Sequence, residues 1–353
     1  MTKRTLTFSS AVNEALHEAM QQDKNVICYG LGVDDPKGVF GTTLRLKEDF
    51  GPTRVFDMPT SENAMTGIAI GAALNGVRPV MTHQRLDFFL LAMDQLVNNA
   101  AKWRYMFGGK GSVPITIRLI LGRGWGQGPT HSQNLQSWFA HIPGLKIVVP
   151  STAQDAKGLL LSSIFDSDPV VFLEHRWLHN LEGDVPLGDF RVPLGKARIL
   201  NCGDAVTIVA FSYMTVEALY AVDILGKSGI NCDLIDLRTL CPLDWESIFL
   251  SVRKTGRLLV LDTSNETCSM AGEIVARVSM KLFDSLKAAP RRIALPDVPT
   301  PTSPALSEVY YKDAVDIVKI VSDMFKKEIS VEALSRKRTF PHDVPGDWFK
   351  GPF

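Results

Sequence analysis

Neither sign of charge is in excess in this chain of 353 residues: Lys and Arg number 38, and so do Asp and Glu. That balance removes any global case for nucleic acid or an anionic membrane as partner, since both call for a basic field. No apolar run approaches the roughly 20 residues that a membrane-spanning helix needs. The N-terminus, Met1-Thr2-Lys3-Arg4-Thr5, leads into polar, helix-like sequence without the apolar core of a secretory leader. Cysteine is scarce and unpatterned. Cys28, Cys202, Cys232, Cys241 and Cys268 have no metal-ligand spacing and no pairing pattern. Their odd number, mostly inside apolar runs such as Val26-Ile27-Cys28-Tyr29, predicts buried free thiols in a reducing compartment. Together these absences predict a soluble, cytoplasmic protein.

What is present describes an ordered α/β chain. Hydrophobic residues make up 45 % and charged residues 22 %, a folded composition, and the length exceeds what one core usually serves. Short apolar runs alternate with helical patterns. Strands are expected at 26–29, 77–82, 114–121, 146–149 and 170–173, and helices at 8–20, 62–74, 88–106, 133–139 and 153–165. The alternation predicts a mostly parallel sheet covered by helices on both faces. Around residues 181–189 the texture turns to Gly, Pro and Asp, which reads as a linker. A second alternating block follows, with strands at 205–211, 232–236, 257–262 and 292–295 and helices at 215–227, 245–252, 271–287 and 312–326. The reading divides the chain at 1–188, 189–328 and a tail at 329–353. The tail carries Pro, Gly, three Phe and Trp348, and should lie against the protein's own surface or a neighbouring subunit.

Glu62 is the residue that chemistry singles out. It stands in Met58-Pro59-Thr60-Ser61-Glu62-Asn63-Ala64-Met65-Thr66-Gly67, where Pro59 to Ser61 read as a strand end and an N-cap. That puts one carboxylate in the first turn of a helix whose other faces are small or apolar. Burying a charge without a partner is expensive, so this carboxylate should find a proton or a donor. Complementing the helix dipole is the plainer alternative. Gly67, Gly71 and Gly76 follow, and let something pack closely on the helix. Further on, Gly122-Arg123-Gly124-Trp125-Gly126-Gln127-Gly128 leads to Pro129-Thr130-His131-Ser132-Gln133. So many glycines allow close backbone approach to a ligand, although no Gly-Lys-Ser/Thr follows as in a phosphate-binding loop.

In this order and spacing, these pieces resemble the beta subunits of the thiamine-diphosphate-dependent 2-oxoacid dehydrogenases, within the transketolase-like superfamily. Also part of the likeness are Phe88 and the stretches 92–102, 143–146, 155–159, 168–171 and 237–244, and it spans about residues 5 to 325. The resemblance implies a pyrimidine-binding domain of the thiamine-diphosphate-binding fold followed by a transketolase C-terminal-like α/β domain. It implies that Glu62 is the carboxyl group that activates the cofactor's aminopyrimidine, that Phe88 stacks on that ring, and that His131 exchanges protons with substrate oxygens. Core packing is the alternative for Phe88, and a surface position for His131. By the same resemblance a potassium ion is held by backbone carbonyls at Ile115, Ser163, Ile164, Asp166 and Asp168. The superfamily's diphosphate–metal motif, Gly-Asp-Gly followed by paired asparagines, is absent. The resemblance therefore implies one half of a split enzyme, two alpha and two beta chains, with the magnesium ligands on the alpha chain and a lipoyl acyltransferase as a further partner.

Two departures leave the reaction open. His83-Gln84-Arg85 replaces a more apolar run, and Gly128-Pro129-Thr130-His131 resembles the transketolase form of the loop. His83 and Arg85 are thus candidate substrate contacts for a polyol or a phosphorylated compound, with an ion pair from Arg85 to Asp87 or to an alpha-chain carboxylate as the alternative. Oxidative decarboxylation of a 2-oxoacid with acyl transfer is the first reading. Ketol transfer between sugars shares the same enamine intermediate and is the second. A non-catalytic scaffold with the same fold is the third.

Overall fold

The computed structural model describes residues 3–123 and 126–335. They divide into two compact units, one made of residues 3–122 and 131–194, the other of residues 123, 126–130 and 195–335. The aromatic tail from residue 336 lies outside the described residues.

The first unit opens with β1 (Lys3–Thr7) and α1 (Phe8–Gln22), then β2 (Val26–Gly30), α2 (Leu46–Phe50), β3 (Val55–Asp57) and α3 (Glu62–Leu74). Next come β4 (Arg78–His83), α4 (Leu86–Phe89), α5 (Ala101–Met106), β5 (Thr116–Leu121), α6 (Gln136–Ala140), β6 (Lys146–Val148), α7 (Ala153–Ile164), β7 (Val170–His175) and β8 (Glu182–Pro186). Strands β6, β7, β5, β4, β2 and β3 lie side by side in that order, all parallel. Both faces are covered, so β5 and β7 are buried along their whole length. Helix α1 starts at Thr7, whose hydroxyl accepts the Ser10 N–H at 3.1 Å. It buries Phe8, Ala11, Val12, Ala15, Leu16, Ala19 and Met20 at helical spacing and packs on α7.

The chain runs from β2 to β3 on one side, then returns to β4 on the other side of β2 and continues outward to β5. The order therefore reverses between β2 and β4, where the carboxyl ends of a parallel sheet leave a crevice for ligands. At that point β2 and β4 approach so closely that a Cβ on Gly30 would sit 2.0 Å from the Thr82 carbonyl oxygen, which only glycine permits.

The segment read as a linker, residues 181–189, instead holds β8, which pairs antiparallel with β1 from Lys3↔Pro186 to Thr7↔Glu182. A two-stranded ladder tolerates Pro186 at its end, because the missing N–H costs no second partner. The helix expected at 88–106 is also broken. It passes from α4 through a 3-10 turn (Leu90–Ala92) and a π-helical stretch (Gln95–Ala100) into α5. Asn98 and Asn99 donate side-chain bonds back to Asp94 (2.6 Å) and Gln95 (3.0 Å) across this stretch.

The second unit contains β9 (Arg198–Asn201), β10 (Val206–Ala210), α8 (Tyr213–Lys227), β11 (Cys232–Asp236), β12 (Thr239–Cys241), α9 (Trp245–Thr255), β13 (Leu258–Asn265), α10 (Met270–Leu282), β14 (Arg291–Leu295), α11 (Pro304–Tyr310) and α12 (Ala314–Phe325). Its sheet runs β14-β13-β10-β11-β9, parallel except for β9. Met214, Ala218, Ala221 and Leu225 of α8 meet Ile317, Val318 and Val321 of α12 over the apolar face of this sheet. Asp313 and Asp316 close α12 with a reciprocal capping box. Cys28 and Cys232 are buried as expected, but Cys202 and Cys268 are exposed, because they sit in connecting segments rather than in apolar strands. Among the described residues no helix is long and apolar enough to cross a membrane.

Candidate functional site

Glu62 is the first residue of α3, reached from β3 by residues 58–61. Ser61 occupies the N-cap position, but its side chain makes no capping bond. The Glu62 side chain is 7 % exposed, and among the described residues its carboxylate has no hydrogen-bond or ion-pair partner. Thr66, one turn on, spends its hydroxyl on the Glu62 backbone carbonyl at 2.8 Å. The side chain is largely enclosed, but its carboxylate oxygens keep access to solvent, so a donor from outside the chain can reach them.

Phe88 and His131 come together as a pair. Phe88 lies in α4 beyond β4, and His131 follows β5; their rings meet edge to face at 5.4 Å between centroids and 89°. Asp87 ties the two segments, accepting the Gln133 side-chain amide at 2.7 Å and the Gln133 backbone N–H at 3.4 Å. Asn134 closes the loop by donating to the Gly122 carbonyl at 3.0 Å and the Ser132 carbonyl at 3.2 Å. Helix α3 packs against the 3-10 and π-helical stretches that follow Phe88, with Gly67 facing Gln95. Glu62, Phe88 and His131 thus all leave the carboxyl edge of the sheet, after β3, β4 and β5.

The other two candidates, His83 and Arg85, stand on the same segment as Phe88, at the end of β4 and just beyond it. His83 is fully buried at the end of β4, edge-on to Phe89 at 5.0 Å, and neither ring nitrogen has a hydrogen-bond partner. Burial pushes its imidazole down to about 4, so it is neutral near pH 7. Arg85 is buried with its guanidinium 5.5 Å from the Phe40 ring centre; burial lowers its pKa, and Asp87 partly offsets this.

Of the five carbonyls expected to hold potassium, those of Ile115, Ser163, Ile164 and Asp166 accept protein donors. Arg78 donates to the carbonyls of Ile164 (3.1 Å) and Asp166 (3.0 Å), Val170 N–H to Ile115, and Asp166 N–H to Ser163. The carboxylate of Asp166 holds Lys146 at 2.7 Å, and Asp168 receives Arg104 at 2.5 Å. Each carbonyl with one donor keeps a second lone pair, so these contacts leave the carbonyls able to accept a cation.

Sequence reasoning missed a buried network beneath the site. Arg118 on β5 forks onto Glu174 on β7 at 2.6 and 2.9 Å and donates to Thr82 at 3.3 Å; His179 approaches Glu174 at 3.4 Å. Burial alone would raise the Glu174 carboxyl, but the Arg118 charge and the bonds from His179 and Arg118 win and hold it at about 2. The signal was one charge inside each of the apolar runs Thr116–Leu121 and Val170–His175.

The fold is that of a thiamine-diphosphate enzyme subunit of transketolase type. The transketolase pyrimidine-binding domain family matches residues 4–180, and the transketolase C-terminal domain family residues 195–317. The chain is 43 % identical over 324 residues to the acetoin:2,6-dichlorophenolindophenol oxidoreductase subunit beta of Cupriavidus necator, covering 89 % of this chain and 96 % of that one. It is 40 % identical over 303 residues to the pyruvate dehydrogenase E1 component subunit beta of Bacillus subtilis, covering 86 % and 93 %. A solved split-gene transketolase, described as an inactive beta4 tetramer, shares the fold with a TM-score of 0.74 at 22 % identity, over 91 % of this chain and 98 % of that one. The chain belongs to the beta subunits of the thiamine-diphosphate-dependent 2-oxoacid dehydrogenases.

Proposed function

We propose that this chain works with a separate alpha chain, as two alpha and two beta subunits, and supplies the side chains that activate thiamine diphosphate and move substrate protons. The bound cofactor supplies a nucleophilic thiazolium carbon that adds to a substrate carbonyl. Glu62 would hold the aminopyrimidine through a proton shared with its ring nitrogen, Phe88 would hold the ring by stacking, and His131 would give and take protons at substrate oxygens. The magnesium ligands belong to the alpha chain, and a lipoyl acyltransferase accepts the acyl group. A potassium ion on the backbone carbonyls of Ile115, Ser163, Ile164, Asp166 and Asp168 is part of the same proposal. The domain limits proposed are 1–188, 189–328 and a tail from 329, and the compartment proposed is the cytoplasm.

The observation that carries this reading is the largely enclosed Glu62 side chain at the carboxyl edge of a parallel sheet, whose carboxylate has no protein donor among the described residues. The first substrate class is a 2-oxoacid, by kinship with the pyruvate dehydrogenase and 2-oxoisovalerate dehydrogenase beta subunits. A hydroxyketone donor is the second, favoured by two acetoin relatives at 43 % identity. Ketol transfer from a sugar phosphate remains the third, favoured by the burial of Arg85.

The test is co-expression with the alpha partner. Glu62→Gln should lower turnover by about 100-fold or more, the scale of a lost acid–base contribution, while the chain alone should bind thiamine diphosphate weakly. Unchanged turnover in Glu62→Gln, or tight magnesium-dependent binding by the chain alone, would overturn the reading. Parallel assays with a 2-oxoacid, acetoin and a ketose phosphate choose among the donors.

A further inference from the structure

Phe40 carries two guanidinium groups. Arg176, immediately after β7, stands 4.3 Å from the ring centre, and Arg85, just past β4, stands 5.5 Å away. Both arginines are buried, at 2 % and 5 % exposure, while Phe40 is half-buried and keeps the cluster within reach of solvent. Strand β5 lies between β4 and β7, so the pair flanks the strand that leads to His131.

This arrangement is built at a cost. Two like charges are brought out of water onto one ring, Asp87 offsetting part of the cost at Arg85; burial first and then the Arg85 charge hold Arg176 at about 10. Phe40 itself has φ +51°, in the left-handed region that an aromatic residue rarely adopts. The loop around it is pinned to keep that conformation. Thr43 accepts the Val39 N–H at 2.9 Å and donates to the Val33 carbonyl at 3.0 Å, and Thr42 donates to the Val39 carbonyl at 2.6 Å. His83 adds an uncommitted polar ring. It is fully buried without hydrogen bonds, two residues before Arg85 along extended backbone, and the exposed Gln84 between them faces the other way.

We propose that Arg85 and Arg176, presented together on Phe40, form an oxyanion subsite that receives the carboxylate or phosphate of the substrate. Guanidinium forks match both anions bidentately, and an anion between two of them relieves their mutual repulsion. Only the assignment of the anion to the substrate rests on the thiamine reading; the binding site itself does not.

The full chain, free of thiamine diphosphate, is titrated calorimetrically with inorganic phosphate and, separately, with pyruvate. Saturable binding of at least one is expected, and the one that binds identifies the source of the anion. Arg85→Gln and Arg176→Gln should each weaken it about tenfold or more, the scale of one lost charge-assisted pair. Arg176→Lys, which keeps charge without the fork, should weaken it less, and it reads the same effect should Arg176→Gln fail to fold by circular dichroism. Glu62→Gln should bind the anion like the parent even where it abolishes turnover, which separates this proposal from the cofactor reading. Absence of saturable binding by the parent chain, or equal binding by parent and both arginine variants, would overturn it.

Discussion

Asp87 receives both the side-chain amide and the backbone N–H of Gln133, and so locks the turn that carries Phe88 to the loop that carries His131. The edge-to-face contact between the two rings, at 5.4 Å between centroids, lies beside this tie, and Asn134 closes the same loop onto Gly122.

Removing the tie should misplace His131 rather than unbind the cofactor. Gln133→Leu in the assembled complex is expected to lower kcat by about tenfold, the order of a lost positioning contact, with thiamine diphosphate affinity and KM little changed. Steady-state kinetics beside a cofactor titration checks this. A parallel fall in cofactor affinity would mean that Gln133 supports the fold rather than the geometry.

The Arg118–Glu174–His179 network is expected to matter asymmetrically. Glu174→Gln leaves the Arg118 charge buried without its carboxylate and should cost about 3–5 kcal/mol in chemical unfolding of the chain. The double variant Arg118→Met/Glu174→Leu should recover most of that, because two apolar side chains of similar size replace a desolvated pair.

Acid should destabilise the chain from about pH 6.5 downward. His83 and His179 are both held near 4 by burial, so between pH 6.5 and 4 the unfolded state binds protons that the folded state does not. Stability therefore rises with pH across that window and falls on acidification, by about 1.4 kcal/mol per pH unit for each histidine. Glu174 adds a second loss below its unfolded value as pH falls toward 2. Replacing His83 by Leu should flatten the slope between pH 6.5 and 4, read by melting temperature against pH.

Much of this was legible in the sequence. Alternating apolar runs placed β11 at Cys232–Asp236 and α3 at Glu62–Leu74 without error, because each is bounded by strong punctuation. The position of Glu62 in the first turn of α3 was legible for a local reason, one carboxylate in an otherwise apolar helix. Strand β8 was not, since Gly183 and Pro186 carry loop chemistry and its partner β1 lies at the other end of the first unit. The Phe40–Arg176 contact was hidden similarly, for only the tertiary fold brings the loop after β2 beside the end of β7.

Two glycines separate local from long-range constraint. Gly71 lies inside α3, and a methyl group added there would meet nothing within 4 Å, so Gly71→Ala should stabilise the chain by about 0.5–1 kcal/mol through helix propensity alone. Gly122 is different. A Cβ there would meet the His131 carbonyl oxygen at 2.8 Å, a backbone atom that cannot swing aside as a side chain could. Gly122→Ala should therefore displace the His131 loop, lowering turnover of the assembled complex by about tenfold or more for a shift on the order of 1 Å. Melting of the chain should move much less than turnover does. Full activity in Gly122→Ala would mean that the His131 backbone is free to shift without consequence, and that its position beside Phe88 is not what the reaction uses.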